Sequence, residues 1–167
     1  MNERQKKLVR AALLLAVALL AQQLRFILPL PKILDTLVIG SLVNGALVLT
    51  AHYTDLFLAA ITTAALPIVA FLQGHLPIPI LIPVVFAGNF VFVMLCYFIS
   101  NKAIIIIGPL LKTITIYGGA LLMLNLLGLP PEKIKAMVLT LSWPQLITGV
   151  LGIILAGVVE KRLNSQG

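Results

Sequence analysis

The sequence predicts an all-α polytopic membrane protein: one six-transmembrane-helix bundle with both termini in the cytoplasm. Three observations carry that expectation. Of 167 residues, 60% are hydrophobic and 10% are charged, against about 25% charged in a soluble domain. Charge is also missing from long stretches. Asp55 is the only formal charge from Thr36 to Asn101, and there is none from Ala136 to Val159. Finally, runs such as Leu13-Leu14-Leu15 and Ile104-Ile105-Ile106-Ile107 do not alternate, as the strands of a lipid-facing barrel must. Lipid offers no water to the backbone, so helices are the remaining solution. This composition excludes a soluble enzyme, a nucleic-acid reader and a disordered scaffold. The net charge of +7 fits cytoplasmic Lys and Arg beside anionic lipid.

Each element follows from its breakers. Four cations, Arg4, Lys6, Lys7 and Arg10, precede the first apolar run. A signal peptide starts the same way, but this run reaches Leu30 with no clear cleavage site. It reads as a first spanning helix over about 8–28. Pro29-Leu30-Pro31-Lys32 ends it, and a second follows over about 33–50. The polar knot His52-Tyr53-Thr54-Asp55 separates a third, over about 56–72, containing Pro67. Gln73-Gly74-His75-Leu76-Pro77-Ile78-Pro79 forms a loop before a fourth at about 80–99. Ser100-Asn101-Lys102 turns the chain into a fifth, about 103–127. Gly128-Leu129-Pro130-Pro131 precedes the sixth, about 134–159. At roughly 20 residues per span, six spans leave no room for a soluble or ATPase domain. The whole of residues 1–167 therefore reads as a single integral membrane domain.

Cation counting sets the orientation. Arg4, Lys6, Lys7, Arg10, Lys102, Lys161 and Arg162 fall on the side of the termini. Arg25, Lys32, Lys133 and Lys135 fall on the other. Seven against four places both termini inside.

Polar residues inside spans are costly and face protein or a water-filled cavity. Most of them sit in the outer half. Gln22, Gln23 and Arg25 end helix 1; Gln73 and His75 follow helix 3; Asn89 is midway along helix 4. Tyr117 and Asn125 lie on helix 5, and Trp143 and Gln145 flank Pro144 on helix 6. The predicted binding set is Asn89, Tyr117, Asn125, Trp143 and Gln145, with Gln73 and His75 closing over the ligand. Aromatic rings offer stacking area, and amides offer paired donors and acceptors. Gly74 beside Pro77 and Pro79 gives the loop the make-up of a lid. Plainer readings stand beside these. Arg25 can snorkel to headgroups, Trp143 can belong to an interfacial belt, and the asparagines can be interhelical glue. Lys112, the one charge well inside a span, is expected to serve structure or a partner rather than substrate.

Ala12 and Ala16 lie four apart in helix 1, a small-residue spacing that admits a second backbone. Ala60/Ala64 and Gly152/Ala156 repeat that spacing and suit internal packing. No phosphate loop, nucleophile elbow, zinc motif or helical carboxylate pair is present, and Cys96 is alone. No enzyme activity, catalytic residue, metal or cofactor is expected, nor a nucleic-acid partner.

Six spans in so short a chain, Ala12-Leu13-Leu14-Leu15-Ala16 in helix 1, the stretch from Phe71-Leu72-Gln73-Gly74-His75 through Pro83, and Gly88-Asn89 together resemble the substrate-binding S-component of energy-coupling factor (ECF) vitamin transporters. The resemblance implies a multi-pass protein of a prokaryotic cell membrane that captures a vitamin or similar micronutrient at the outer side. It implies a transmembrane coupling subunit and two cytoplasmic ATPases as partners, with Ala12 and Ala16 meeting the coupling subunit. It places the pocket among helices 4 to 6 and the outer loops. A scaffold of cell-wall elongation type and a stand-alone carrier are the alternatives. One Trp excludes a Trp-rich pocket. Sparse charge argues against a strongly anionic ligand unless Arg25 or Lys32 turns inward.

Overall fold

A computed structural model describes residues 1–28 and 30–165. Helix α1 (Glu3–Ile27) starts upstream of its apolar run. The Asn2 side chain accepts from Gln5 N while the Gln5 side chain accepts from Asn2 N, so a capping box carries the cationic segment into the helix. Helix α2 (Lys32–Tyr53) runs through most of the polar knot. Asp55 then caps α3 (Leu56–Leu72), its carboxylate accepting from Leu58 N at 3.0 Å. Gly74 ends α3 at φ 75°. Nothing crowds a Cβ there, so backbone conformation is the requirement for glycine.

A 3-10 turn at Pro79–Leu81 leads into α4 (Ile82–Phe98). Helix α5 (Ile104–Leu126) and α6 (Pro131–Asn164) complete the bundle. The described residues contain no strand. Five helical segments are long and apolar enough to cross a membrane, and α3 is a shorter apolar helix of 17 residues. Large apolar side chains such as Leu13, Leu20, Phe57, Ile106, Leu122 and Ile154 are exposed along the spans. An apolar exterior over apolar helices is the construction of a membrane protein.

Successive helices alternate in direction. The end that carries the α1–α2, α3–α4 and α5–α6 connections is the distal end; both terminal segments lie at the other. Helix α2 is the hub, packing on α1, α3, α4 and α6, while α5 bridges α4 and α6. Small residues permit these crossings. A Cβ on Gly152 would lie 2.5 Å from Asn44 Cβ and 2.9 Å from Gly45 N, and one on Gly88 would overlap the Ile116 side chain. Two apolar clusters result. Ala18, Ala46, Leu47, Phe92, Cys96 and Ala156 belong to one, centred on α2. Leu76, Leu81, Val84, Ile116, Leu124 and Val138 belong to the other, joining the distal parts of α4, α5 and α6.

Candidate functional site

Along α2, Lys32, Thr36, Gly40 and Asn44 recur every fourth residue, so they share one face of the helix. That face borders a cavity of about 730 Å³, within the roughly 300–1,000 Å³ of small-molecule sites. Gln22 and Arg25 contribute from α1, Asn89 from α4, Lys112 from α5 and Gln145 from α6. Leu28, Leu30, Gly74, His75 and Pro77 also line it, so it opens at the distal end. Lys32 lies at the mouth and Asn44 at the floor, about 18 Å apart along the axis at a rise of about 1.5 Å per residue.

The floor is a hydrogen-bonded relay across three helices. Lys112 is buried, 1% exposed, and its Nζ donates to Asn44 Oδ1. Asn44 Nδ2 donates to Thr148 Oγ1 at 3.0 Å, and the Thr148 hydroxyl points to the Gln145 carbonyl at 3.5 Å. The ammonium also stands 5.1 Å from the centroid of the Phe92 ring, an attractive cation–π placement. Asn44 is thereby oriented from both sides: its oxygen faces the cation and its nitrogen the threonine.

The mouth carries one ion pair and the exposed Lys32. Arg25 Nε lies 3.6 Å from Asp35 Oδ2. Arg25 therefore turns toward the cavity rather than only to headgroups. Gln22 Nε2 reaches the Leu66 carbonyl at 3.4 Å. Yet Gln22 Oε1, Arg25 Nε, Asp35 Oδ1 and His75 Nε2 are buried without a hydrogen-bond partner among the described residues. The His75 ring lies against Phe26, with centroids 5.7 Å apart. Burial pushes the His75 imidazole below the ordinary histidine range, the Arg25 charge adds to that, and Asp35 opposes it. The loop that carries it is tied down. His75 N and Leu76 N both donate to the Ala70 carbonyl, at 2.9 and 3.2 Å, and Leu76 is buried.

Of the seven residues expected around one ligand, Asn89, Gln145 and His75 line this cavity. Tyr117 and Trp143 do not; they are 45% and 44% exposed on the outside of the bundle. Asn125 is exposed, and its Nδ2 bonds back to the Leu121 carbonyl of its own helix at 2.6 Å. Gln73 lies beside the cavity without lining it, both amide atoms buried and without a hydrogen-bond partner among the described residues. Helix rotation is the reason. Helix α5 buries Gly108, Lys112, Ile116, Ala120 and Leu124, and Tyr117 and Asn125 each stand one residue off that stripe, about 100° around. Lys112, expected to serve structure or a partner, bonds Asn44 across the bundle and also lines the cavity floor. Helix α2 contributes Asp35, Thr36 and Asn44, none of which stood out in the sequence. For Thr36 and Asn44 the signal was present in the four-residue spacing from Lys32 to Asn44, to which Asp35 does not belong.

On α1, Ala11 and Ala18 are buried in the bundle, whereas Ala12 and Ala16 are exposed. Gly152 and Ala156 are buried, Gly152 against α2. No family model, curated protein or solved structure matches this chain.

Proposed function

We propose that this protein is the membrane-embedded substrate-capture subunit of an ECF-type importer for a vitamin or similar micronutrient. The observation that carries the reading is the cavity: about 730 Å³, polar at its floor and open at the distal end of the bundle. The cation count supports an outward-facing distal end, which would present the site to incoming solute. A prokaryotic plasma membrane is the setting. The chain has no phosphate-cradling loop, so energy comes from a coupling subunit and two cytoplasmic ATPases. The small face of Ala12 and Ala16, left exposed on α1, suits close approach by a helix of the coupling subunit.

The test is reconstitution. Vesicles holding this chain with its coupling module should accumulate a bound micronutrient only with ATP, and vesicles holding the chain alone should not. Ala16→Leu should leave binding by the isolated chain unchanged and reduce ATP-driven uptake at least about tenfold. Full uptake by the chain alone would make it a stand-alone carrier. Absence of any saturable binding would leave the scaffold reading.

A further inference from the structure

We infer that the cavity floor is a carboxylate site, in which Lys112 takes the single negative charge of a small organic acid. The inference rests on the capture reading and names the class of its substrate. A lysine at the centre of a membrane bundle is expensive unless a partner or water-filled space compensates it. Lys112 is buried and borders the cavity, yet no carboxylate of the described residues pairs with it. All five acids of the chain are placed elsewhere. Glu3 pairs with Lys6, Asp35 with Arg25, and Glu160 with His52. Asp55 caps α3, and Glu132 lies in the exposed first turn of α6. Asp35 shares the cavity but stands nine residues from Asn44 on the same helix, about 14 Å toward the mouth.

The geometry around the ammonium suits an anion. Lys112 has three N–H donors, and one is held by Asn44. Asn89, buried on α4, lines the same cavity and brings a second amide side chain to it. Thr148 holds the Asn44 amide in place. Charge balance selects the ligand. At the mouth Arg25 is paired with Asp35 and Lys32 is exposed, which leaves Lys112 as the buried amine of the cavity with no carboxylate partner among the described residues. One carboxylate neutralises it. A phosphate monoester, at nearly two negative charges, would bury an uncompensated charge. A neutral ligand would leave the lysine without a counter-ion.

Matched probes test this on the full chain in detergent. Biotin, pantothenate and nicotinate are each compared with the corresponding carboxamide, and pyridoxal phosphate with pyridoxal, by thermal unfolding and calorimetry. At least one acid should bind, at least about tenfold tighter than its carboxamide. Lys112→Met should weaken that acid about a hundredfold, the scale of losing one partner of a buried charge pair. Asn44→Asp guards against misfolding of the first variant. It supplies an internal carboxylate to the ammonium, so it should fold at least as stably and still lose the acid about a hundredfold. Equal binding of acid and carboxamide, or unchanged acid affinity in Asn44→Asp, would overturn the carboxylate site while leaving capture intact. Preference for the phosphate ester would overturn it in favour of a dianion. If neither the panel nor a small-molecule extract of the producing cells contains anything that binds, the capture reading fails, and this inference with it.

Discussion

The two ends of the bundle solve the same packing problem in opposite ways. Toward the termini, small residues let the helices close on one another. Ala18, Ala46, Ala51, Ala59 and Ala156 pack with Phe92 and Val93, and Gly152 meets α2 backbone to backbone. His52 Nδ1 and Glu160 Oε1, 2.6 Å apart, tie α2 to α6 at that end. Toward the distal end, a cavity lies among the helices, and Gln, Asn, Thr and charged residues share its lining with apolar side chains. There the apolar cluster lies to one side, among α4, α5 and α6. A tight half supplies stability, and an open half holds polar atoms that the protein leaves without partners. Stability and binding are therefore separable by mutation.

The largest expected effect tests the tight half. Gly152→Val places a branched side chain against the α2 backbone, where even a Cβ has no room. Overpacking of this kind should cost about 3 kcal/mol, seen as a lower unfolding temperature and loss of monodisperse protein. Its control lies further along α6. A Cβ added at Gly157 would meet nothing within 4 Å, so Gly157→Ala should stabilise by roughly 0.5–1 kcal/mol. Equal behaviour of the two variants would remove the distinction between packed and open helix faces.

An intermediate effect separates the cavity wall from the lipid face. Asn89→Ala and Gln145→Ala should each weaken ligand binding about tenfold, the scale of one lost hydrogen bond. Tyr117→Leu, Trp143→Leu and Asn125→Ala should stay within about twofold in the same calorimetric titration. The reverse ranking would mean that α5 and α6 are rotated from the arrangement described.

The smallest effect concerns His75. Its folded form favours the neutral ring, because burial and Arg25 both disfavour a second cation and Asp35 offsets only part of this. The stability it contributes is complete above the ordinary histidine range of about 6.5. That contribution is lost as pH falls through the lowered value of the folded state. Unfolding temperature followed from about pH 7.5 downward should therefore decline below the usual histidine range. His75→Gln should flatten that part of the curve, and an unchanged slope would detach His75 from the charged mouth.

How much of this was legible in the sequence differs between fold and site. Apolar run length located all six helices, but it measures the part suited to lipid rather than the helix itself. Charged flanks stay helical outside the apolar stretch, so α1 begins at Glu3 through its Asn2 cap, and α6 extends over Pro131–Asn164. The site was harder, because sequence gives depth along a helix more readily than rotation about it. Trp143 and Gln145 are two residues apart, roughly 200° on a helix, so one cavity could not take both. Tyr117 and Lys112 are five apart, roughly 140°, and the same exclusion applies. Choosing Lys112 and Gln145 over the aromatic residues needed the partners across the cavity. Asn44, which bonds Lys112 on one side and Thr148 on the other, is distant in sequence from both, and only the packing of α2 and α5 on α6 brings these residues together.

That the distal cavity holds a small molecule is tested most directly by native mass spectrometry of protein extracted gently from its membrane. Val85→Trp, which fills the cavity from α4, serves as the comparison. One small-molecule adduct per chain is expected on the wild type, absent from a folded Val85→Trp variant. Bare wild-type protein under every gentle condition, or the same adduct retained by Val85→Trp, would contradict a distal binding site.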